Sequence, residues 1–127
     1  MSQENVEIFW RAVDAWNSDD FETWIDQYDP EVEWFALRAD GGVSRAQGCP
    51  AGLGELQGRR GVTVRFDDVR DLGDSVLALG EIETTGRRSG LNVAREVAQL
   101  ITYRNGKTVS VRDFGSHAEA LEAAGLR

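Results

Sequence analysis

The sequence predicts an α+β domain, with two amphipathic helices first, an antiparallel meander in the second half and a short helix last. Three features of the chain point to it. Apolar residues recur at helical spacing over residues 6–28. Four runs between residues 62 and 116 alternate as strands do and are rich in Val, Thr, Ile and Phe. Ser116-His117-Ala118-Glu119 has the spacing of a capping box, Ser to Glu at three residues.

Taken in order, helix one covers residues 3–17, with Ser2 as N-cap and Glu4 and Glu7 in the first turns. Val6, Phe9, Trp10, Val13 and Trp16 form its apolar stripe. Asn17-Ser18-Asp19-Asp20 breaks it, and Asp19 with Glu22 opens helix two, where Phe21, Trp24, Ile25 and Tyr28 form a second stripe. Asp29-Pro30 ends that helix, because the residue before proline is driven from the helical region. Residues 31–37 then read as a short strand. The stretch 39–61 holds seven of the 14 glycines, with Pro50 and Cys49, and reads as a long loop. A hint of helix at 51–57 is weakened by Gly52 and Gly54, about 1 kcal/mol each relative to Ala. Loops of this length are usually lids, binding loops or disordered segments.

The four strands fall at 62–69, 75–85, 91–103 and 108–114. Arg87-Arg88-Ser89-Gly90 and Arg104-Asn105-Gly106-Lys107 are hairpin connections, the second with the Asn-Gly signal. Such a sheet twists, and one face needs a cover, which the helices supply. A last helix runs over 118–124, closed by Gly125. His117, the one histidine, stands in its first turn. It is a candidate acid or base by chemistry, but that place suits a solvated helix-start residue better.

The length of 127 residues fits one domain, 1–127, with a core of its own. Net charge is −8, from 14 basic and 22 acidic residues, which argues against nucleic acid and anionic membranes as partners. Its ordinary meaning is solubility. Cys49 stands alone, so no internal disulfide is expected, and no metal-ligand set or other cofactor is called for. No apolar run is long enough to span a membrane, and Met1-Ser2-Gln3-Glu4 lacks the basic start of a signal peptide. The expected compartment is the cytoplasm.

Two stretches, SQENVEIFWRAVDAWNSDDFETWIDQYDPEVEW at the start and YRNGKTVSVRDFGSHAEALEAAGL at the end, resemble the SnoaL-like branch of the nuclear transport factor 2-like superfamily. The resemblance covers about half the chain. Members usually carry a longer third helix after the first strand, where this chain has its Gly-rich stretch. The resemblance implies a curved, mainly antiparallel sheet wrapped around the N-terminal helices into a cone with a pocket. It does not imply one activity, since the fold hosts isomerases, cyclases, hydrolases, dehydratases and non-catalytic subunits.

Alternation sorts the side chains. Arg95, Val97, Gln99 and Ile101 share one face of their strand; Val111 and Asp113 share one face of the next; Ala78, Gly80, Ile82 and Thr84 share a third. By analogy with the family the concave face is the one holding Gln99 and Asp113. It gathers Arg95, Gln99, Asp113 and Thr84, with Trp16, Tyr28 and Trp34 approaching from the cover. A few polar groups in an apolar hollow is the usual form of a small-molecule site. The plain alternative is that Arg95 and Asp113 form a buried ion pair that only sets register.

Isomerase-like relatives use an Asp base, a Tyr and a protonated Asp. The resemblance puts those roles at Ala36, Ala12 and Gln99, so base and main oxyanion donors are missing in that form. Cyclase-like relatives need an acidic or His base, which leaves Asp113. Epoxide-hydrolase-like relatives use two Asp around an Arg; Arg95 and Asp113 supply part of that set. Three readings follow. The chain binds a small hydrophobic molecule; or it is an enzyme with Asp113 as general base on a cyclic or polyketide-like substrate, Arg95 or Gln99 steadying the oxyanion; or it is an interaction domain whose pocket is filled by its own side chains. The opposite face carries Leu77, Leu79, Ala98, Leu100 and Phe114, too much apolar surface to leave wet, and predicts a homodimer.

Overall fold

The structure is a computed structural model, and it describes residues 2–37, 43–47, 62–85 and 92–126. Its elements run α1 (Ser2–Asn17), α2 (Phe21–Asp26), β1 (Tyr28–Leu37), β2 (Val43–Gln47), β3 (Val62–Asp71), β4 (Ser75–Thr85), β5 (Asn92–Arg104), β6 (Lys107–Phe114) and α3 (His117–Ala123). All six strands belong to one sheet, ordered β2-β1-β6-β5-β4-β3. The β1–β6 pairing is parallel and the others are antiparallel, so the α+β class holds with a mixed sheet.

The meander follows the expected register closely. Asn105 and Gly106 connect β5 and β6 with φ of 54° and 77°, the left-handed pair that a two-residue type I′ hairpin demands. Ser116 caps α3 by accepting from the Glu119 N–H at 3.1 Å, as the capping box requires. Three local expectations are corrected. The cap of α2 is Asp20, which accepts from the Thr23 N–H, while Asp19 takes φ of 61°. Next, α2 stops at Asp26, so Tyr28 begins β1 instead of ending a helix. The reason is tertiary: the Gln27 carbonyl accepts from the Thr108 N–H at 2.9 Å, drawing the chain into pairing with β6. Finally, part of the stretch read as a loop, 43–47, is strand β2, paired antiparallel to β1. The rest of that loop, 39–42 and 48–61, and the Arg87-Arg88-Ser89-Gly90 connection lie outside the described residues.

Each face of the sheet has its own core. On the concave side, α1 and α2 cover Val32, Trp34, Phe66, Val76, Ile101 and Val111 with Phe9, Val13 and Trp24. Trp10 and Ile25, expected in the helical stripes, stay exposed. Tyr103 is deeply buried there, and burial pushes its phenol well above the ordinary value, a hydrogen bond with Thr108 offsetting this only in part. The unfolded phenol therefore ionises near pH 10 while the native one keeps its proton, so stability falls as pH rises beyond 10. Tyr103→Phe should remove about 1.4 kcal/mol of that decline between pH 9 and pH 11, read from urea unfolding. An unchanged slope would show that Tyr103 ionises alike in both states.

On the convex side, α3 lays Ala120 and Leu121 over Leu77, Leu79 and Ala98. The centre of that face is covered by the chain's own last helix, and Leu100 and Phe114 are half-buried beside it. His117 is half-buried rather than fully solvated. Its Nε2 donates to the Gly80 carbonyl at 2.9 Å, and its backbone N–H donates to Glu96 Oε1. Nearby on the same face, hydrogen bonds from the Arg70 guanidinium hold the Asp68 carboxyl below its usual range.

Gly80 has a second role. It faces the irregularity in β3 between Phe66 and Asp68, where Asp67 is the extra residue. A Cβ at Gly80 would lie 1.9 Å from the Arg65 carbonyl oxygen and 2.6 Å from Phe66 Cα. On β3, the last strand in the sheet order, the Asn17 side chain bonds both backbone groups of Val64, donating to the carbonyl at 2.9 Å and accepting from the N–H at 3.0 Å.

Candidate functional site

Gln99 and Asp113 are direct partners in the β5–β6 register, so their side chains leave the sheet side by side on the concave face. Gln99 Nε2 donates to Asp113 Oδ1 at 2.8 Å. From β1, whose Trp34 pairs with Val111, the indole Nε1–H donates to the other carboxylate oxygen, Oδ2, at 3.2 Å. A buried indole N–H can only donate, and a carboxylate is the strongest acceptor within reach. Trp34 is 5% exposed, while Gln99 and Asp113 are half-buried. The carboxylate thus stands on the concave face, oriented by two neutral donors.

Beside it runs a row of rings. Trp34 stacks on Tyr28 with centroids 5.5 Å apart and planes 28° apart. Trp24 meets Tyr28 at 5.0 Å and Trp16 at 5.0 Å, and Phe21 closes the row against Trp16 at 5.9 Å. Edge and tilted contacts of this kind suit the ring quadrupoles and fix the ring positions. Trp24 is the buried hub, and Trp16 and Tyr28 stay half-buried.

Of the residues expected at the site, the structure brings together Gln99, Asp113, Trp34, Tyr28 and Trp16. Arg95 shares the face but is exposed, and it sits four residues along β5 from Gln99, roughly 13 Å at about 3.3 Å per residue. Thr84 pairs with Val62 and Val93, six residues beyond the Ala78 that faces Gln99, roughly 20 Å away. Gln99 and Trp34 are thus among the close partners of Asp113, and Arg95 stands apart from it along β5. Trp24, the ring that joins Trp16 to Tyr28, went unassigned to the site because its helical spacing marked it as core.

A separate half-open hollow of about 710 Å³ lies at the other end of the sheet, between the start of α1 and the β3–β4 and β5–β6 turns. Its walls include Glu4, Asn5, Gly73, Asp74, Arg104 and Asn105, and it does not touch Gln99 or Asp113. Among the described residues no group of His, Cys, Asp and Glu could hold a metal ion, and no helix is long and apolar enough to cross a membrane.

A mixed sheet curved over two N-terminal helices, with polar groups on its concave face, is the nuclear transport factor 2-like fold, also described as ketosteroid isomerase-like or cystatin-like. Among solved structures, an LEH-like epoxide hydrolase from M. tuberculosis superposes with a TM-score of 0.78 at 20% identity, covering 94% of this chain and 88% of that one. A hypothetical protein with a ketosteroid isomerase-like fold from Catenulispora acidiphila, in complex with trimethylamine, gives 0.73 at 18% identity over 95% and 94%. An NTF2-like protein of unknown function from Burkholderia pseudomallei gives 0.71 at 18% over 94% and 95%. At these identities the likeness is one of fold. No protein-family model matches the sequence, and no curated protein does.

Proposed function

We propose that this chain binds a small, largely apolar molecule on its concave face, with Asp113 as the polar anchor and the Tyr28–Trp34 stack as a wall. The observation that carries it is the placing of Asp113: Gln99 and Trp34 orient its carboxylate on the concave face, and Trp34 stacks in turn on Tyr28. A fixed acceptor beside aromatic rings is the composition of a small-molecule site.

A second reading, with Asp113 as general base, draws on the same geometry and on the likeness to an epoxide hydrolase. Asp113→Asn separates the two. The substitution keeps the shape and removes the charge and the basicity. The Gln99 amide can turn to offer its oxygen to the new NH₂ while Trp34 still donates to the remaining oxygen, so the fold should survive. Binding is read by saturable quenching of tryptophan fluorescence with a panel of one- and two-ring compounds. Under the binding reading Asp113→Asn weakens the best ligand by about 1–3 kcal/mol. Under the base reading it abolishes turnover and spares binding. If no compound saturates and native mass spectrometry finds no co-purified molecule, the binding reading is wrong.

A further inference from the structure

We propose that the hollow at the far end of the sheet is a second binding site, whose ligand is a small zwitterion with its two charges held apart, such as an ω-amino acid or a short peptide. Its walls come from three separate segments, and the chain itself holds them in place. The Asn5 side chain donates to the Gly73 carbonyl at 3.0 Å, which fastens α1 to the β3–β4 turn. The Tyr103 N–H donates to the Asp74 carbonyl at 2.9 Å, which fastens that turn to β5. Asn105 and Gly106 form the third wall in their left-handed turn. Walls already ordered in this way cost a ligand little binding free energy to arrange.

The hollow carries charges of both signs. Glu4 and Asp74 supply carboxylates and Arg104 a guanidinium, and all three side chains are exposed. Elsewhere on the chain, opposite charges close on one another: Arg65 on Glu81 at 2.8 Å, Arg70 on Asp68 at 3.0 Å and Lys107 on Asp26 at 3.9 Å. Among the described residues Arg104 makes no such pair with Glu4 or Asp74, and the hollow of about 710 Å³ lies between them. A ligand carboxylate fits the planar fork of Arg104, and an ammonium fits Glu4 or Asp74, each through charge-assisted hydrogen bonds. Because the chain's own charges stand too far apart to pair, a ligand that meets both signs needs a spacer between its carboxylate and its ammonium. A plain anion is repelled by two carboxylates, and a plain amine leaves the guanidinium unanswered. An apolar body finds little beyond Val109 and the buried Tyr103 to lie against.

The test uses four matched probes, δ-aminovalerate, pentylamine, valerate and cadaverine, titrated into the full chain. The backbone amide NMR signals of Asn5, Gly73 and Gly106 report on the hollow, and the Trp34 indole signal reports on the concave face. The zwitterion should bind about fivefold or more tightly than either singly charged probe, with the Trp34 signal unmoved. Arg104→Gln should bring it level with pentylamine, and Glu4→Gln with Asp74→Asn should bring it level with valerate, each within about twofold. These side chains are exposed, so the fold should survive; if a variant does not fold, the wild-type ranking decides. Pentylamine or cadaverine binding as well as the zwitterion overturns the proposal, because the hollow is then an acidic patch only. Movement of the Trp34 signal in place of Gly73 and Gly106 also overturns it, by putting the ligand on the concave face. So does the absence of any shift with all four probes, which leaves the reading of Asp113 standing.

Discussion

Replacing Trp24 by alanine should lower the unfolding free energy by about 4–5 kcal/mol, at the top of the range for a core Trp. Trp24 is 5% exposed and meets Trp16, Tyr28 and Trp34 at 5.0, 5.0 and 6.1 Å. Its removal opens a cavity between three large rings that cannot all collapse into it, and each aromatic pair loses about 0.5–1.5 kcal/mol beyond area burial. Since Tyr28 and Trp34 lean on the same ring, the orientation of Asp113 should loosen as well. Urea unfolding monitors the first effect and the dispersion of the Trp34 indole NMR signal the second. A loss below about 2 kcal/mol would mean that the row repacks without its hub.

Gly80→Ala should be nearly as severe, about 3 kcal/mol or more, through overpacking against backbone. A new methyl would sit 1.9 Å from the Arg65 carbonyl oxygen, and neither strand has a flexible side-chain end there that can yield. The β3 irregularity would have to open, and the carbonyl that His117 holds would move with it. Thermal unfolding should fall by on the order of 10 °C for a chain of this size. Gly106→Ala is the useful contrast. That residue has φ of 77° but open space around the added methyl, so only conformational strain of about 1 kcal/mol applies. Equal losses at the two positions would show that the crowding at Gly80 is relieved by a small shift of β3.

The meander was legible because period-2 alternation over four long strands leaves only one register that buries Val76, Val97, Ile101 and Val111 together. The same register put Gln99 beside Asp113, so the centre of the candidate site could be read from the chain. What sequence missed depends on contacts between distant segments. Strand β2 has five residues, flanked by the glycines of its stretch, too few for a strand pattern to emerge. Tyr28 fits a helical stripe, and only the pull of Thr108 on Gln27 moves it into a strand. Trp34 reads as cover because its N–H has no sequence neighbour to bond; the acceptor is 79 positions away. The terminal helix presents Ala120 and Leu121 inward, too slight a stripe to reveal that it shields the convex face.

The Asn17 amide on Val64 bears on how two copies of this protein meet. A strand at the rim of a sheet offers a template to any passing extended segment, the route to fibrils and to swapped dimers. Val64 is placed so that its N–H and C=O point outward from the rim, since it faces Ile82 across β4 and both groups turn to Asn17. By occupying that donor and acceptor at once, one primary amide imitates a visiting strand for the length of a single residue. The extra residue Asp67 and the charges of Arg65 and Asp67 interrupt the rim just beyond it. A nucleus for end-on growth at this rim would have to displace α1's last side chain before making its first bond, and then step over a kink. The first helix is thereby a guard of colloidal behaviour as well as a lid on the core.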